Sequence, residues 1–410
     1  MKKPELLAPA GSFEKAKAAF RYGADAVYCG TGSLSLRSRA EVDNDDLRKT
    51  IEFAHELGKK VYVTINIYAP DSVYDDIEKQ VLMLKEIKAD GILASDGGVI
   101  EKIKELAPEI PIHISTQANT LSAHTANFWY KNGAERVVLS REMNKEDIKE
   151  LIANIPEGLE TETFIHGAIC WAYSGRCYLS DYMAQRNANL GDCAQSCRWA
   201  YNMYIEEANN PGNIMPVEED STGTYVLSSK DLCLIKEIPE LCEMGVTSLK
   251  IEGRLKSEYY VASIVNIYRS AIDDYFNDPE HYDYKKYMTE IDKIKTRDLT
   301  TFFFNDKKNT DYQEFAGKQY NPNFEYGGMV EKYDSEKSLV RIGNRLTTGD
   351  EVELIIPGEI KPVEFTIEKM WDSETGEEVD HVNPGKVGQN VLMNIPVEAK
   401  EGWFIRRKRN

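Results

Sequence analysis

Eight short apolar runs, separated by stretches with helical spacing, occupy the first 250 residues and leave few folds open to the chain. The runs are Glu5–Ala8, Ala26–Cys29, Val61–Ile67, Gly91–Ala94, Pro111–Ser115, Arg136–Ser140, Thr161–His166 and Ser248–Ile251. They are continuous rather than alternating, the pattern of parallel strands covered on both faces. Helical spacing is clear over Ser12–Tyr22, Asp45–Leu57, Ser72–Ile87 and Lys145–Ile152. Ser12, Asn44 with Asp45, Asp71 with Ser72, and Asn144 stand where amino-terminal caps belong, and Gly23, Gly58 and Gly133 close helices. Eight such units over some 270 residues have the number and length of a (β/α)8 TIM-like barrel. A doubly wound open sheet is the competing architecture.

The seventh crossover breaks the rhythm. Roughly 80 residues separate His166 from Ser248, where other units use 20 to 30, and long insertions of this kind usually carry function. Within it Tyr201–Glu207 and Thr224–Ser228 read as a hairpin pair, and Ser229–Met244 as the delayed seventh helix. Ser257–Phe276 and Tyr284–Lys295 are helical. From Phe324 short strands follow at Gly328–Tyr333, Ser338–Ile342, Asp350–Ile356, Val363–Trp371, Gln389–Ile395 and Trp403–Arg407, the spacing of a small β-barrel. The expected organisation is a barrel over 1–275 with an insertion at about 167–230, a helical linker over 276–323, and a small β-barrel over 324–410. The boundary should fall between Asn305 and Asn323.

Composition removes several classes. With 42% hydrophobic and 29% charged residues, disorder and collagen-like repeats are excluded. No run of about 18 apolar residues exists to span a membrane, so no membrane partner is expected. The start, MKKPELLAPAG, lacks a signal-peptide core, and a cytoplasmic protein is expected. Fifty basic against 68 acidic residues give a net charge of −18, which opposes indiscriminate binding to nucleic acid. Arg406, Arg407, Lys408 and Arg409 form one local basic cluster.

In a barrel of this kind the active site lies at the carboxyl ends of the strands. The residues there are Asn66, Ser95, Asp96, Gln117, Asn119, Arg141, Glu142, His166, Glu252 and Arg254, with Lys250 in the eighth strand itself. Seven cysteines, an odd number in a large chain, point towards metal or redox chemistry rather than disulfides. Cys170, Cys177, Cys193 and Cys197 fall within 28 residues directly after the seventh strand. Cys233 is expected in the first turn of the seventh helix, at the same rim, where a helix terminus favours thiolate. Cys29 and Cys242 read as buried small apolar residues. Four thiolates at one rim suit an iron–sulfur cluster or a four-cysteine zinc site, and the lack of paired C-x2-C knuckles favours iron–sulfur. The preferred ligands are Cys170, Cys177, Cys193 and Cys233, with Cys197 as the alternative fourth.

No H-E-x-x-H, Walker loop or G-x-S-x-G elbow is present. Gly30 and Gly32 read as a turn rather than a phosphate cradle. A cysteine peptidase with His166 as base stays open, although a nucleophile needs no company of thiols.

The stretch Glu162 to Ser180, with its Glu-x-Phe-x-x-Gly-Ala-x-Cys-x(6)-Cys-x-Leu-Ser layout, resembles the collagenase-like peptidase family of unclassified catalytic type. So do Pro4-Glu-Leu-Leu-Ala-Pro-Ala-Gly11, Gly23-Ala-Asp-Ala-Val-Tyr28, Ser115-Thr-Gln-Ala-Asn119, Ser140-Arg-Glu142, Cys197-Arg-Trp199 and Ser248-Leu-Lys-Ile-Glu-Gly-Arg254. The chain is most similar to that family's tRNA hydroxylation protein P branch. The resemblance implies prephenate-dependent formation of 5-hydroxyuridine at the tRNA wobble position, and a 4Fe–4S cluster held by cysteines after the seventh strand. Cys170, Cys177 and Cys193 match that pattern, and zinc is the runner-up metal. Arg141, Lys250 and Arg254 would then bind the carboxylates of a prephenate-like donor or an RNA phosphate. Gln117 and Asn119 would read the base edge, and Glu142, His166 or Glu252 would move protons. The small β-barrel and the Arg406–Arg409 tail would grip the tRNA. A paralogous protein subunit is a further expected partner. The competing functions are a metal- or thiol-dependent collagenase-like peptidase and a non-catalytic tRNA-binding scaffold.

Overall fold

A computed structural model of the chain describes residues 2–35, 41–170, 172–173, 176–177, 179–199, 203–206, 211–212, 214–217, 229–294, 297–305, 323–334, 337–385 and 390–409. Packing divides the chain into two compact units. One comprises Met1–Ala16, Asp25–Leu255 and Thr296–Gln319, and the other Lys17–Ala24, Lys256–Lys295 and Tyr320–Asn410.

The first unit holds eight parallel strands: β1 Glu5–Pro9, β2 Ala26–Thr31, β3 Lys60–Ile65, β4 Gly91–Ala94, β5 Ile112–Ile114, β6 Ala134–Val138, β7 Glu160–Ala168 and β8 Ser248–Ile251. Neighbours pair in sequence order, and β8 pairs with both β7 and β1, which closes the barrel and excludes the open sheet. Apolar residues of the runs, among them Leu6, Leu7, Val27, Val61, Val63 and Ile92, have no exposed surface. Each such side chain contributes roughly 1.5–3 kcal/mol by leaving water.

Helices α1 Phe13–Arg21, α2 Asn44–Glu56, α3 Tyr74–Glu86, α4 Gly97–Leu106, α5 Ala123–Lys131 and α6 Lys145–Ala153 alternate with the strands. Ser12 and Asn144 cap as expected, accepting from the backbone N–H groups of Lys15 and Asp147. The cap of α2 is Asp43, which accepts from Asp46 N–H at 2.8 Å, so the helix starts one residue before the predicted run. At α3 a 3-10 turn over Asp71–Val73 precedes the helix, and no side chain caps it. Gly23, Gly58 and Gly133 adopt the positive φ that ends a helix at little cost.

The insertion departs most from expectation. Ser229–Met244 is not one helix: Asp231–Cys233 is a strand, and α7 begins only at Ile238 and ends at Met244. That strand pairs antiparallel with the end of β7, Asp231 opposite Ala168 and Cys233 opposite His166, and parallel with Leu299–Thr300. A three-residue segment can satisfy its backbone groups on an exposed barrel-strand end, which a helical reading of the apolar spacing overlooks. Met203–Glu206 is a hairpin strand as expected, but its partner is Ile214–Val217. The expected strand Thr224–Ser228 lies outside the described residues, as do Tyr201, Asn202 and Glu207.

The second unit contains α8 Glu258–Asn277, capped by Ser257, and α9 Tyr284–Ile291. Its strands are β9 Phe324–Asp334, β10 Lys337–Ile342, β11 Glu351–Ile355, β12 Val363–Thr366, β13 Met370–Asp372, β14 Asn390–Met393 and β15 Phe404–Lys408. They form an antiparallel sheet in the order β12-β11-β15-β9-β10-β14-β13, extended by Glu378–Val379, and the pairing path is open among the described residues. The predicted run Val363–Trp371 is therefore two strands that pair with different neighbours. Val330, Val340, Leu354, Met370, Met393 and Ile405 form the core of this sheet. Residues 306–322, where the boundary was expected, lie outside the described residues.

Candidate functional site

The barrel interior is ionic at its floor, the amino-terminal ends of the strands. Arg136 of β6 donates to Glu5 Oε1 at 2.6 Å, to Glu160 Oε2 at 2.6 Å and to Glu162 Oε2 at 3.2 Å. Tyr62 and Ser248 also donate to Glu5. Lys250 Nζ donates to Glu162 Oε1 at 2.7 Å and lies 4.3 Å over the Tyr28 ring. Glu162 is completely buried, and Arg136 and Lys250 are each 3% exposed. Burial alone would raise the Glu162 carboxyl, but Lys250 and Arg136 outweigh it and hold the group ionised, below the usual carboxylate range. Burial pulls the Lys250 ammonium below its ordinary value despite Glu162. His113, against the Tyr62 ring, is kept neutral by burial first and by Arg136 and Lys250 next. Lys250 is thus an interior cation paired with Glu162. Sequence reasoning missed Glu5, Arg136 and Glu162; the available signal was charges inside otherwise apolar strands, which cannot be buried unpaired.

Above this floor, Tyr28 donates to the Glu252 carboxylate at 2.9 Å and to the Ile251 carbonyl at 3.1 Å. Burial, reinforced by Glu252, pushes the Tyr28 hydroxyl well up, so it serves as a donor. Arg254 is buried, with Nη1 2.7 Å from Ser35 Oγ and 3.2 Å from Thr64 Oγ1. Gly30, which lies in β2, makes room for it: a Cβ there would overlap Arg254 Nη1. The adjacent Cys29 thiol is pushed up to about 12 by burial, which Arg254 only partly offsets, as expected of an inert core thiol. Gly167, at φ +106°, lets β7 and the end of β8 approach, since a Cβ would meet the Glu252 carbonyl at 2.5 Å.

At the mouth, Arg141 donates to the Ala168 carbonyl at 3.0 Å, with its guanidinium 4.0 Å over the Phe164 ring. Ser140 donates to Glu142. Asn66 donates to Ser115 Oγ at 3.4 Å. Asp96 caps α4 through Gly98 and Val99, which gives it a structural task. Asn119 adopts the left-handed conformation, φ 67°, after a turn over Thr116–Ala118, and shares a hydrogen bond with Tyr173. Gln117 Oε1 is buried and meets no donor among the described residues. His166 is fully buried within β7.

The cysteine-bearing segment is fastened over this mouth. Arg176 donates to the Gln117 carbonyl at 2.9 Å and lies 5.7 Å over the Tyr68 ring. Asn189 accepts from Cys177 N–H at 3.1 Å through its side chain and from Tyr68 N–H at 3.1 Å through its carbonyl. Cys193 Sγ accepts from Gln195 N–H at 3.4 Å. None of the seven cysteines is in a disulfide: Cys170, Cys177, Cys193 and Cys197 are half-buried, and Cys29, Cys233 and Cys242 are buried. Cys233 is beside the end of β7 as expected, but on a strand, so no helix terminus acts on it. The donor chemistry suits soft-metal ligation. As placed, however, no three His, Cys, Asp or Glu side chains among the described residues converge enough to hold a metal ion.

The basic cluster near the carboxyl terminus is committed elsewhere. Arg406 is buried against Glu290 and Glu353, and Arg407 pairs with Glu325 and Asp350. Lys408 pairs with Glu351 and Arg409 with Glu325. Strand β15 makes these cations the partners of a carboxylate ladder, so the expectation of a free basic tail is corrected.

A profile described as Peptidase family U32 matches residues 11–314, and one described as Peptidase family U32 C-terminal domain matches residues 322–406. The tRNA hydroxylation protein P1 of Bacillus subtilis (strain 168) is 42% identical, over 92% of this chain and 89% of its own length. The tRNA hydroxylation protein P of Escherichia coli (strain K12) is 37% identical, over 99% of this chain and 96% of its own. The 23S rRNA 5-hydroxycytidine C2501 synthase of the same organism is 30% identical, over 93% of this chain and 58% of its own. No helix among the described residues is long and apolar enough to cross a membrane. With both profiles matched in order and relatives aligned across nearly its whole length, the chain belongs to peptidase family U32.

Proposed function

We propose that the chain hydroxylates tRNA, forming 5-hydroxyuridine at the wobble position in a prephenate-dependent reaction at the barrel mouth. The observation that carries this reading is the segment of half-buried thiols fastened onto the strand-end loops through Gln117 and Tyr68. Relatives named for tRNA hydroxylation and for ribosomal hydroxycytidine synthesis support it.

For C5 of uracil to be reached, the base must be flipped into the mouth. Gln117 Oε1, a buried acceptor, is suited to the uracil N3–H donor, with Asn119 beside it. Arg141, steadied by Ala168 and Phe164, and Arg254 are the cations for the carboxylates of prephenate. Glu142, Glu252 and His166 are the groups for proton movement, Glu252 through the Tyr28 hydroxyl. Lys250, held by Glu162, is the third of these cations for prephenate. Cys170, Cys177, Cys193 and Cys233, with Cys197 the alternative fourth, would hold a 4Fe–4S cluster. Such a cluster would supply one-electron redox chemistry, which zinc would not.

Nucleoside mass spectrometry of tRNA from a deletion strain should show loss of wobble 5-hydroxyuridine, restored by the wild-type gene and not by Cys170→Ala. Anaerobic reconstitution should give a brown protein holding iron and sulfide. The same assay with and without a paralogous chain tests for a second subunit. Unchanged modification together with chelator-sensitive gelatin cleavage would replace this reading with a peptidase. Undiminished tRNA binding and unchanged modification after removal of every cysteine would leave a scaffold.

A further inference from the structure

Large apolar side chains left in water are concentrated on the segment that carries the thiols. Of the eleven such side chains exposed among the described residues, five lie between Cys170 and Trp199: Tyr173, Tyr182, Met183, Leu190 and Trp199. A sixth, Tyr68, is held to this segment by its N–H bond to Asn189 and by the Arg176 guanidinium over its ring. Tyr182 is 83% exposed, well beyond what packing of a tyrosine requires. The short helix Leu179–Ala184 that bears it packs on the turn Ser196–Arg198, next to Trp199.

We infer that these rings form a stacking platform for unpaired bases flanking the nucleotide that enters the mouth. The inference rests on the RNA reading proposed above. Three features select bases over another occupant. The exposed surface is mainly aromatic, three tyrosines and a tryptophan, and every nucleobase offers a π-face to such rings. It is continuous with the mouth, since Tyr173 hydrogen-bonds Asn119, one of the base-reading candidates. Of its described cationic side chains, Arg186 pairs with Asp192 and Arg176 donates to the Gln117 carbonyl, so neither points to a phosphate funnel. Binding by ring faces also reconciles an RNA substrate with a chain of net charge −18.

The test uses the full-length protein and two probes: an RNA hairpin with an unpaired pyrimidine loop, and the same strand closed into a duplex by its complement. Fluorescence anisotropy at two salt concentrations is read for wild type, Tyr182→Ala, Trp199→Ala and Tyr182→Phe, with thermal melting to verify folding. The platform predicts that wild type prefers the loop. Each alanine variant should weaken loop binding roughly 5- to 100-fold for each ring that carries a base, with an unchanged salt slope, and Tyr182→Phe should keep the affinity. Wild-type affinity in both alanine variants would overturn the platform and leave the RNA reading standing. Equal affinity for loop and duplex would also overturn it. Loss of self-association in the alanine variants at unchanged RNA affinity would reassign the surface to a protein partner. Failure of wild type to bind either RNA, together with unchanged wobble uridine in the deletion strain, would remove the RNA reading itself.

Discussion

At the barrel floor Arg136 and Lys250 are closed against Glu5, Glu160 and Glu162, all within 3.2 Å. At the mouth of the same barrel, four thiols are half-buried, and Tyr173, Tyr182 and Trp199 are exposed to water. Both ends are rich in reactive residue types, but the floor is closed by buried ion pairs, whereas the mouth leaves side chains at the surface. A buried ion cluster of this kind is committed to holding strands together, because removing one partner strands the others without solvent. Side chains left half-buried or exposed at the other end are available for something that arrives.

The sharpest way to break this contrast is Arg136→Met. It should cost about 3–5 kcal/mol in urea unfolding, because three carboxylates lose their common cation, and adding Glu162→Gln should recover part of that loss. Wild-type stability would mean that the floor is wetter and weaker than its geometry indicates.

Acidification tests the floor without mutation. His113 and Glu162 are both held below their ordinary values in the folded barrel, so below those values the unfolded chain binds more protons. Stability should therefore fall with pH, first below about 6.5 through His113 and again below about 4.5 through Glu162. Each loss should continue until the folded group itself protonates. Glu162→Gln should flatten the lower limb, and an unaltered profile would count against an ionised Glu162.

Smaller effects belong to the mouth. In metal-free protein Cys170→Ala and Cys193→Ala should each shift stability by less than about 1 kcal/mol, while iron uptake on reconstitution is lost. A floor-sized loss of stability would reassign these thiols to packing. The smallest effect should come from Arg409→Ala, whose rim pair with Glu325 is worth under about 0.5 kcal/mol. Its RNA affinity should match the parent; a large drop would restore the basic tail as a grip.

Parallel strands were legible because burial on both faces writes itself as unbroken apolar runs, and all eight were located within a few residues. Asn66, Gln117, Arg141 and Glu252 were legible as strand-end residues because each comes just after a strand, whereas His166 falls inside β7. What spacing does not encode is which charge points inward: Lys250 belongs to the eighth run, and only the register of β8 against β7 sets it on Glu162. Equally hidden was the strand at Asp231–Cys233, whose three residues carry too short a pattern to distinguish from a helix turn. Arg406–Arg409 read as a grip for tRNA because the carboxylates they pair with, Glu290, Glu325, Asp350, Glu351 and Glu353, lie far away in sequence.

That short antiparallel strand has an engineering consequence. The chain leaves β7 at Ala168 and comes back to the same strand at Asp231, so both feet of the insertion stand on one ladder. The position of Cys233 is fixed by that ladder rather than by what lies between the feet. Closing a longer connection costs only about 0.6 kcal/mol per doubling. A connection of another length between the two feet would therefore leave the returning thiol in register.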